Sequence, residues 1–464
     1  MKKIFIWLLL YYLRFFAKLS LFINRPKVIG ITGSVGKSSA RNVIYAILKN
    51  SLSVRMIKEG NSETGIPLGI LGLDPRNYQL IDWIKIIILS PFKIFYLTGI
   101  KILIVEMGID SPYPPKNMDY LLTIVKPNIA VVLNAYPVHS EQFDATVFEN
   151  LSSDKRTELI TRKIAEEKAK IITKAEPEVG IYNSDNLYIK DQISRLRQGS
   201  GRQAKILSFG EDKENDVYYG DYDVDLNKSS FELTFLRLRS KKISIEIKDY
   251  FLPKKYQEII SAGFLVGLSL GLNIDEMKKS LVNNFFLPVG RSSLLAGIHD
   301  SVIIDSSYNA SRGSLLTFIE TASLLAKKEK RPLTVLMGDM RELGKEAEQE
   351  HKIVAEALKK SEVDYFYCVG ELTKKYILPE VSKSVKESQW FENSIKLGKY
   401  LKTSLPHRSV VLVKGSQNTI FLEEAIKFIL QDKKDEKKLC RQSEFWTNKK
   451  SYLYSPFKSK ISFI

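Results

Sequence analysis

Short apolar runs, each ending in glycine or a polar turn, recur along the chain. They occupy residues 27–32, 102–107, 129–134, 302–305, 333–338 and 410–414. Amphipathic helical patterns separate them, for example at 40–49, 162–175, 315–327 and 346–359. Because continuous apolar runs are typical of strands buried on both faces, the alternation predicts parallel sheets in an α/β fold.

One region departs from this pattern. Residues 221–225 and 231–247 alternate apolar and polar positions, which is typical of half-exposed antiparallel strands.

A second β-α series begins after 288–291, so we expect a domain boundary there. The sequence thus predicts an N-terminal apolar segment at 1–26, a central domain at 27–289 with an apolar insertion at 76–98, a last domain at 290–431, and a loosely ordered basic tail at 432–464.

The net charge of +17 is unevenly distributed. Residues 1–27 hold six basic and no acidic side chains, and the stretches 76–101 and 432–464 are also basic, so these three account for 14 of the 17 charges. A nucleic-acid enzyme concentrates its positive charge around a working groove. Here the charge lies in two apolar, aromatic segments and a tail, which argues against nucleic acid and favours an anionic membrane surface.

The N-terminal apolar run, residues 4–23, is long enough to cross a bilayer at about 20 residues. Arg14 and Lys18 interrupt it, and on a helix they fall with Arg25 on one narrow stripe. This pattern favours a helix lying in the membrane interface over a spanning one. The alternative is a helix that covers a soluble core. We expect no cleaved signal peptide, because no small-residue cleavage site follows the run.

Residues 33–39, directly after the predicted strand at 27–32, have the composition of a phosphate-binding loop. Its residues are Gly33, Ser34, Val35, Gly36, Lys37, Ser38 and Ser39. Glycines let backbone N–H groups point at a phosphate, a lysine reaches the terminal phosphates, and the hydroxyl of Ser38 is suited to bind Mg²⁺. The general pattern has glycine where this chain has Ile31, so the glycines are spaced as Gly30, Gly33 and Gly36. The sequence predicts nucleotide binding at this turn.

This loop, Gly-Ile-Thr-Gly-Ser-Val-Gly-Lys-Ser-Ser, resembles that of the Mur ligase family, and further family motifs recur in order along about 400 residues. Two are distinctive: Asp-Ser-Ser-Tyr-Asn-Ala at 305–310 and Gly-Asp-Met-Arg-Glu-Leu-Gly at 338–344. Within the family they are most similar to the members that add D-alanyl-D-alanine to a muramoyl tripeptide. The resemblance implies a central P-loop ATPase domain with a parallel sheet and a small antiparallel sheet, followed by a Rossmann-like last domain.

The resemblance also implies roles for residues of the central domain. Glu106 is the expected Mg²⁺ ligand, Asn134 a nucleotide contact, and His139 a ligand of a second Mg²⁺. Lys168 matches the family lysine that reacts with CO₂ to form a metal-binding carbamate, although Lys163 and Lys170 lie close enough to leave the register open. A solvated lysine face and a structural histidine are the alternative interpretations.

The remaining expected site residues lie on either side of this group. In the loop of residues 60–67 and in the last domain, the resemblance implies substrate contacts from Asn61, Glu63, Asp339, Glu342, Lys414 and Ser416. It implies nucleotide contacts from Arg291, Asp305 and Asn309. The last domain is expected to close onto the central one during the reaction.

The implied function is ATP- and Mg²⁺-dependent amide-bond formation in peptidoglycan precursor synthesis, in the cytoplasm on the inner face of the membrane. A muramoyl-peptide carboxylate is the expected donor and D-alanyl-D-alanine the expected amine. Two departures matter: only 29 residues precede Gly30, so we expect the family's UDP-binding N-terminal domain to be absent, and residues 254–260 lack the histidine and asparagine used near adenine. The alternatives are a membrane-linked ligase of the poly-glutamate synthase kind and a non-catalytic nucleotide-binding scaffold.

Overall fold

The computed structural model describes residues 2–58, 60–75, 80–137, 141–144, 153–195, 204–341, 343, 347–415 and 419–453. The chain divides into two compact units. The first comprises residues 1–221, 231–245 and 255–286, and the second comprises 222–230, 246–254 and 287–464.

The strands and helices alternate as the sequence predicts. The strands are β1 (Lys27–Thr32), β2 (Val54–Met56), β3 (Ile102–Glu106), β4 (Ile129–Val132), β5 (Val179–Asn183), β6 (Lys205–Gly210), β7 (Val217–Val224), β8 (Lys228–Phe235), β9 (Lys241–Lys248), β10 (Ser293–Gly297), β11 (Ser301–Ser306), β12 (Leu333–Gly338), β13 (Tyr365–Val369), β14 (Glu387–Phe391) and β15 (Val410–Lys414). The helices of the first unit are α1 (Lys2–Asn24), α2 (Lys37–Leu48), α3 (Gly65–Leu71), α4 (Leu80–Leu89), α5 (Met118–Ile124), α6 (Glu141–Asp144), α7 (Ser153–Thr173), α8 (Leu187–Ser194), α9 (Tyr256–Ser269) and α10 (Ile274–Asn284). Those of the second unit are α11 (Arg312–Glu329), α12 (Ala347–Lys360), α13 (Glu371–Tyr376), α14 (Leu378–Val381), α15 (Ser394–Ser404), α16 (Glu423–Ile429) and α17 (Glu444–Lys450).

A parallel sheet forms the centre of the first unit, with strand order β2-β3-β1-β4-β5-β6. Its central strands are buried along almost their whole length, which accounts for their continuous apolar sequences. The strand register aligns the end of β1 with the ends of its two neighbours. Ile31 of β1 lies opposite Glu106 of β3, and Thr32 lies opposite Val132 of β4. The turn after β1 therefore lies beside the ends of two neighbouring strands.

Strands β7, β8 and β9 continue this sheet. The connection from β7 to β8 is too short for a crossover, so the chain reverses there and the pair is antiparallel. Burial alternates strictly along β9 after its first residues, as the alternating sequence predicts. The predicted antiparallel strands thus extend the nine-stranded sheet, which is mixed, and do not form a separate small sheet.

The second unit contains a six-stranded sheet of order β10-β11-β15-β12-β13-β14. All neighbours are parallel except β10 and β11. Ser306 lies opposite Lys414, which brings the turns after β11 and β15 together. The predicted α/β fold class is confirmed for both units.

The expectation of a loosely ordered tail is wrong for residues 432–453. This segment forms a short 3₁₀ helix at Lys433–Lys438 and helix α17, and it buries Arg441 and Lys450. Arg441 pairs with Glu423 at 3.2 Å and donates to the carbonyl of Tyr308 at 2.6 Å. Lys450 pairs with Glu424. Buried cations are stable here because buried carboxylates of α16 compensate them.

Candidate active site

The turn between β1 and α2 is held open by backbone geometry and by one side chain. Gly36 has a φ of 88°, a conformation that favours glycine. The side chain of Asn134 accepts from the N–H of Val35 at 3.0 Å and donates to the carbonyl of Val35 at 3.1 Å. The N–H of Ser34 donates to the carbonyl of Asn134 at 3.1 Å. Asn134 thus fixes the shape of the turn, and its nucleotide contact stays a prediction.

Lys37 lies folded over this turn. Its Nζ donates to the carbonyl of Gly33 at 2.6 Å. Burial lowers the pKa of Lys37, and the nearby carboxylates of Glu106 and Asp110 partly offset that effect. Ser38 and Ser39 follow on the first turn of α2, where free backbone N–H groups and the helix dipole favour an anion. A partly desolvated cation beside a curled turn at a helix N-terminus is suited to bind a polyphosphate.

Glu106, at the end of β3, is buried and bridges two side chains of α2. Its Oε2 accepts from Ser38 Oγ at 3.0 Å, and its Oε1 lies 2.6 Å from Arg41 Nη1. Arg41 was not singled out in the sequence, although its position one turn after Lys37 on the same helix was a usable signal. The pair formed by Glu106 and Arg41 holds the carboxylate toward Ser38.

Lys168 of α7 lies in a small cavity with the phosphate-loop lysine. The cavity, of about 70 Å³, is lined by Ser34, Lys37, Asn61, Gly108, Ile109, Asp110, Phe143, Ile164 and Lys168. Burial, reinforced by the positive charge of Lys37, lowers the pKa of Lys168 to about 7. Lys170 points elsewhere, because it pairs with Asp119 at 2.8 Å and with Glu167. Lys163 is half-buried on the same helix and does not line the cavity.

Two other cavity residues bear on the predicted site. Asp110, four residues after Glu106, lies close enough to affect both Lys37 and Lys168 electrostatically, and the sequence reasoning missed it. Asn61 accepts from the N–H of Gly108 at 2.8 Å through its own carbonyl, which ties the predicted substrate loop to the cavity wall. Glu63 lies in the same loop and affects Tyr120 electrostatically.

The Ser38–Glu106 pair fits a hard divalent cation bound together with phosphate. Its donors are a hydroxyl and a carboxylate oxygen, which are ligands that Mg²⁺ prefers. Within the part of the chain that the structure describes, no three His, Cys, Asp or Glu side chains cluster closely enough to hold a metal by themselves. His139, predicted as a second metal ligand, lies outside the described residues.

In the second unit, two turns with predicted site residues meet. Lys414 is buried, its Nζ donates to the carbonyl of Asn309 at 2.6 Å, and burial lowers its pKa to about 7. Asp305 is fully buried, its Oδ1 accepts from the N–H of Ser307 at 3.0 Å, and burial raises its pKa. The guanidinium of exposed Arg291 lies 4.7 Å from the ring centroid of Tyr308.

The other predicted residues of this unit fall outside that group. Asp339 Oδ1 accepts from the N–H and the hydroxyl of Thr373, both at 2.8 Å, which caps the first turn of α13. In this structure Asp339 therefore holds a turn. Glu342 and Ser416 lie outside the described residues.

The segment aligned with the family's adenine contacts forms the start of α9 in the first unit. The Tyr256 hydroxyl lies 3.4 Å from Ser39 Oγ, and Lys255 Nζ donates to the Tyr136 hydroxyl at 2.9 Å. Burial raises the pKa of Glu258 to about 7. The tyrosine that stands in place of histidine thus still lies next to the phosphate loop.

A curled turn between a parallel strand and a helix, with a lysine over it and an acid at the end of the neighbouring strand, defines a P-loop nucleotide-binding domain. The model of the Mur ligase middle domain matches residues 31–250, and that of the Mur ligase glutamate ligase domain matches residues 290–417. Together they cover well over half of the chain. The chain belongs to the Mur ligase family, whose members are ATP-dependent ligases that form amide bonds.

Individual relatives agree with this assignment. The UDP-N-acetylmuramoyl-tripeptide–D-alanyl-D-alanine ligase of Buchnera aphidicola (subsp. Baizongia pistaciae) is 26% identical over 408 residues, which cover 86% of this chain and 75% of the relative. The enzyme of the same name from Escherichia coli is 24% identical over 415 residues, covering 88% and 77%. The MurF ligase of Thermotoga maritima, solved with ADP, superposes with a TM-score of 0.67 at 23% identity and covers 92% of this chain and 84% of that one. The last comparison is a likeness of fold.

Proposed function

We propose that the protein is an ATP-dependent ligase that adds D-alanyl-D-alanine to the free carboxylate of a muramoyl tripeptide. The observation that carries the proposal is the group formed by Lys37, Lys168 and Asp110 in one cavity beside the Ser38–Glu106 pair. The names of the relatives at 22–26% identity supply the donor and the amine.

The reaction has two steps. A donor carboxylate oxygen attacks the γ-phosphorus of ATP, and ADP leaves as the acyl phosphate forms. The amine nitrogen then attacks the acyl carbon, loses a proton, and displaces inorganic phosphate as the amide forms. Mg²⁺, held by Ser38 and Glu106, would neutralise phosphate charge in the first step.

The chain's own side chains supply binding and charge. Lys37 is positioned to exchange its bond to the Gly33 carbonyl for bonds to transferring phosphate oxygens. Lys168 has the lowered pKa that a reaction with CO₂ requires, because only the neutral amine is nucleophilic. As a carbamate it would present oxygens toward the metal. We assign nucleotide and amine contacts in the second unit to Asp305, Asn309 and Lys414.

We place the enzyme in the cytoplasm, on the inner face of the membrane. ATP is available there, and both cysteines, Cys368 and Cys440, are buried free thiols, as a reducing compartment allows. The exposed apolar side chains of the stretch Ile6–Asn24, among them Leu8, Phe15 and Phe22, support membrane proximity.

Phosphate release from ATP tests the proposal when donor and amine are added separately and together. We expect release that depends on both the muramoyl tripeptide and D-alanyl-D-alanine. Lys37→Ala should abolish it, whereas Lys49→Ala, an exposed lysine just after the same helix, should not. Release with glutamate or its polymers alone would assign the protein to the poly-glutamate synthase kind. The absence of release with every donor would favour a scaffold.

A further inference from the structure

Helix α1 lies against the first unit along its length. Leu10, Leu13, Ala17 and Ser20, spaced three or four residues apart, are buried. Three polar contacts fix the helix further: the Tyr12 hydroxyl donates to the carbonyl of Ile87 at 2.7 Å, Arg14 Nη1 donates to the hydroxyl of Thr123 at 3.0 Å, and Asn24 Nδ2 donates to the carbonyl of Ile94 at 2.7 Å. A helix that crossed a bilayer would have to break all of these contacts.

The opposite side of α1 exposes an apolar stripe. Ile4, Leu8, Tyr11, Phe15 and Phe22 follow helical spacing and are each between 48% and 69% exposed. Such a stripe is costly in water, because each large apolar side chain remains hydrated. Helix α1 therefore packs against the protein with one face, and its opposite, apolar face is exposed and available to a partner.

A second element adds to this surface. Helix α4 and the 3₁₀ turn at Ser90–Phe95 expose the large apolar side chains of Leu80 (72%), Ile81 (52%), Ile84 (44%), Ile88 (60%), Phe92 (75%) and Phe95 (60%). Leu13 of α1, Ile86 of α4 and Leu68 of α3 form one buried cluster, so the two elements lie side by side. Exposed apolar surface concentrated in neighbouring elements marks an interaction site.

Charge indicates the partner. Lys18 of α1, Arg25 directly after that helix, and Lys85 of α4 are exposed, and Lys93 is half-buried. Residues 1–27 contain no acidic side chain, and residues 76–101 contain Asp82 as their one acid. Apolar and aromatic side chains mixed with lysine and arginine complement an anionic lipid surface. A symmetric contact with a second copy would bring the same positive charges together.

We propose that α1 and residues 80–95 form one docking face that binds an anionic bilayer in its interfacial layer, without spanning it. We call this surface the docking face. Its apolar side chains enter the boundary between headgroups and acyl chains, and its basic side chains contact lipid phosphates. The proposal goes beyond the ligase activity, and vesicle binding measures it without substrate.

Flotation of the full-length protein with vesicles tests the proposal. We expect strong binding to phosphatidylcholine vesicles that contain about one third phosphatidylglycerol, and much weaker binding to phosphatidylcholine alone or in high salt. The double variant Ile88→Glu, Phe92→Glu should bind at least tenfold more weakly. Leu324→Glu, at a leucine that is 55% exposed on α11, is the matched control and should bind like the parent protein.

A lysine variant and its control distinguish charge-dependent lipid binding from nonspecific hydrophobic adsorption. Lys85→Gln should weaken binding roughly fivefold, as expected for one basic side chain lost near an anionic surface. Lys279→Gln, exposed on α10, should change nothing. Unchanged ATP-dependent phosphate release shows that each variant is folded, and keeps this test separate from that of the ligase function.

Three outcomes would overturn the proposal. Equal binding to neutral and anionic vesicles would remove the role of charge. A dimer in solution that Ile88→Glu, Phe92→Glu converts to monomer would assign the face to a second copy. Resistance of the membrane-bound protein to alkaline carbonate extraction would mean that α1 spans the bilayer.

Discussion

Replacing Lys168 by methionine should stabilise the protein while abolishing its activity. The side chain is 3% exposed, and burial with the nearby charge of Lys37 lowers its pKa from 10.5 to about 7. That displacement corresponds to an upper limit of about 5 kcal/mol of unfavourable free energy in the folded state. Methionine has a similar length and no charge, and it also loses the attraction of Asp110. We therefore expect a net gain of about 2 kcal/mol at pH 7.

The effect has a defined pH dependence. Between pH 7 and 10.5 the unfolded state binds more protons at Lys168 than the folded state does, so the parent protein gains stability from this residue as pH rises. The penalty is complete below pH 7 and disappears above 10.5. The advantage of Lys168→Met should therefore be largest near pH 7 and shrink toward pH 10.

Urea unfolding at pH 7 and pH 9.5 in CO₂-free buffer measures this difference, since carbamate formation would change the charge of the parent protein. Lys163→Met, half-buried on the same helix, is the control and should show no such trend. If Lys168→Met is instead less stable than the parent protein by the same amount at both pH values, burial of the charged amine does not lower the stability of the parent protein. The reasoning then fails.

The same position allows a test of chemical role. The rate of phosphate release by Lys168→Ala should be at least about 100-fold lower than that of the parent protein if the substitution removes a stabilising charge from the site. Millimolar formate or acetate should restore part of that activity if the lysine acts as a carbamate, because a free carboxylate replaces the missing oxygens. Acetamide, similar in size but uncharged, is the matched control. Rescue by methylamine instead of formate would show that the residue acts as a cation.

Three further changes test other parts of the structure. Gly36→Ala, at a φ of 88°, should destabilise the turn by about 1 kcal/mol or more and weaken nucleotide binding measured by calorimetry. Ser38→Ala should raise the Mg²⁺ concentration for half-maximal phosphate release by about tenfold, and unchanged Mg²⁺ dependence would exclude its hydroxyl as a ligand. Arg441→Met should lower the free energy of unfolding by about 3 kcal/mol because it leaves Glu423 short of its closest cation, whereas exposed Lys433→Met should be neutral in the same urea titration.

Much of the fold follows from the sequence, because strands buried on both faces need continuous apolar runs. Strands β1, β12 and β15 have the predicted bounds, and β3 ends one residue earlier than predicted. The phosphate loop was predictable for a similar reason, since its composition is local. Contacts between elements distant in sequence were harder to predict. The pairing of Arg41 with Glu106 joins residues 65 positions apart and depends on strand order.

The basic tail was misjudged for a physical reason. Lysine-rich composition indicates exposure unless a carboxylate compensates each buried cation. Here Glu423 and Glu424 are buried on α16, 18 to 27 residues before their partners. A count of charges within the tail cannot reveal these partners. Only the fold shows that Arg441 and Lys450 are interior residues.

The late position of Arg441 and Lys450 affects how the nascent protein folds. All residues of the first unit have been synthesised once the ribosome reaches Phe286, before most of the second unit. The second unit must wait, because two buried glutamates on α16 remain uncompensated until residues 441 and 450 have been added. Translation at about 5–20 residues per second therefore delivers the whole first unit, including the phosphate loop, before the residues that compensate Glu423 and Glu424.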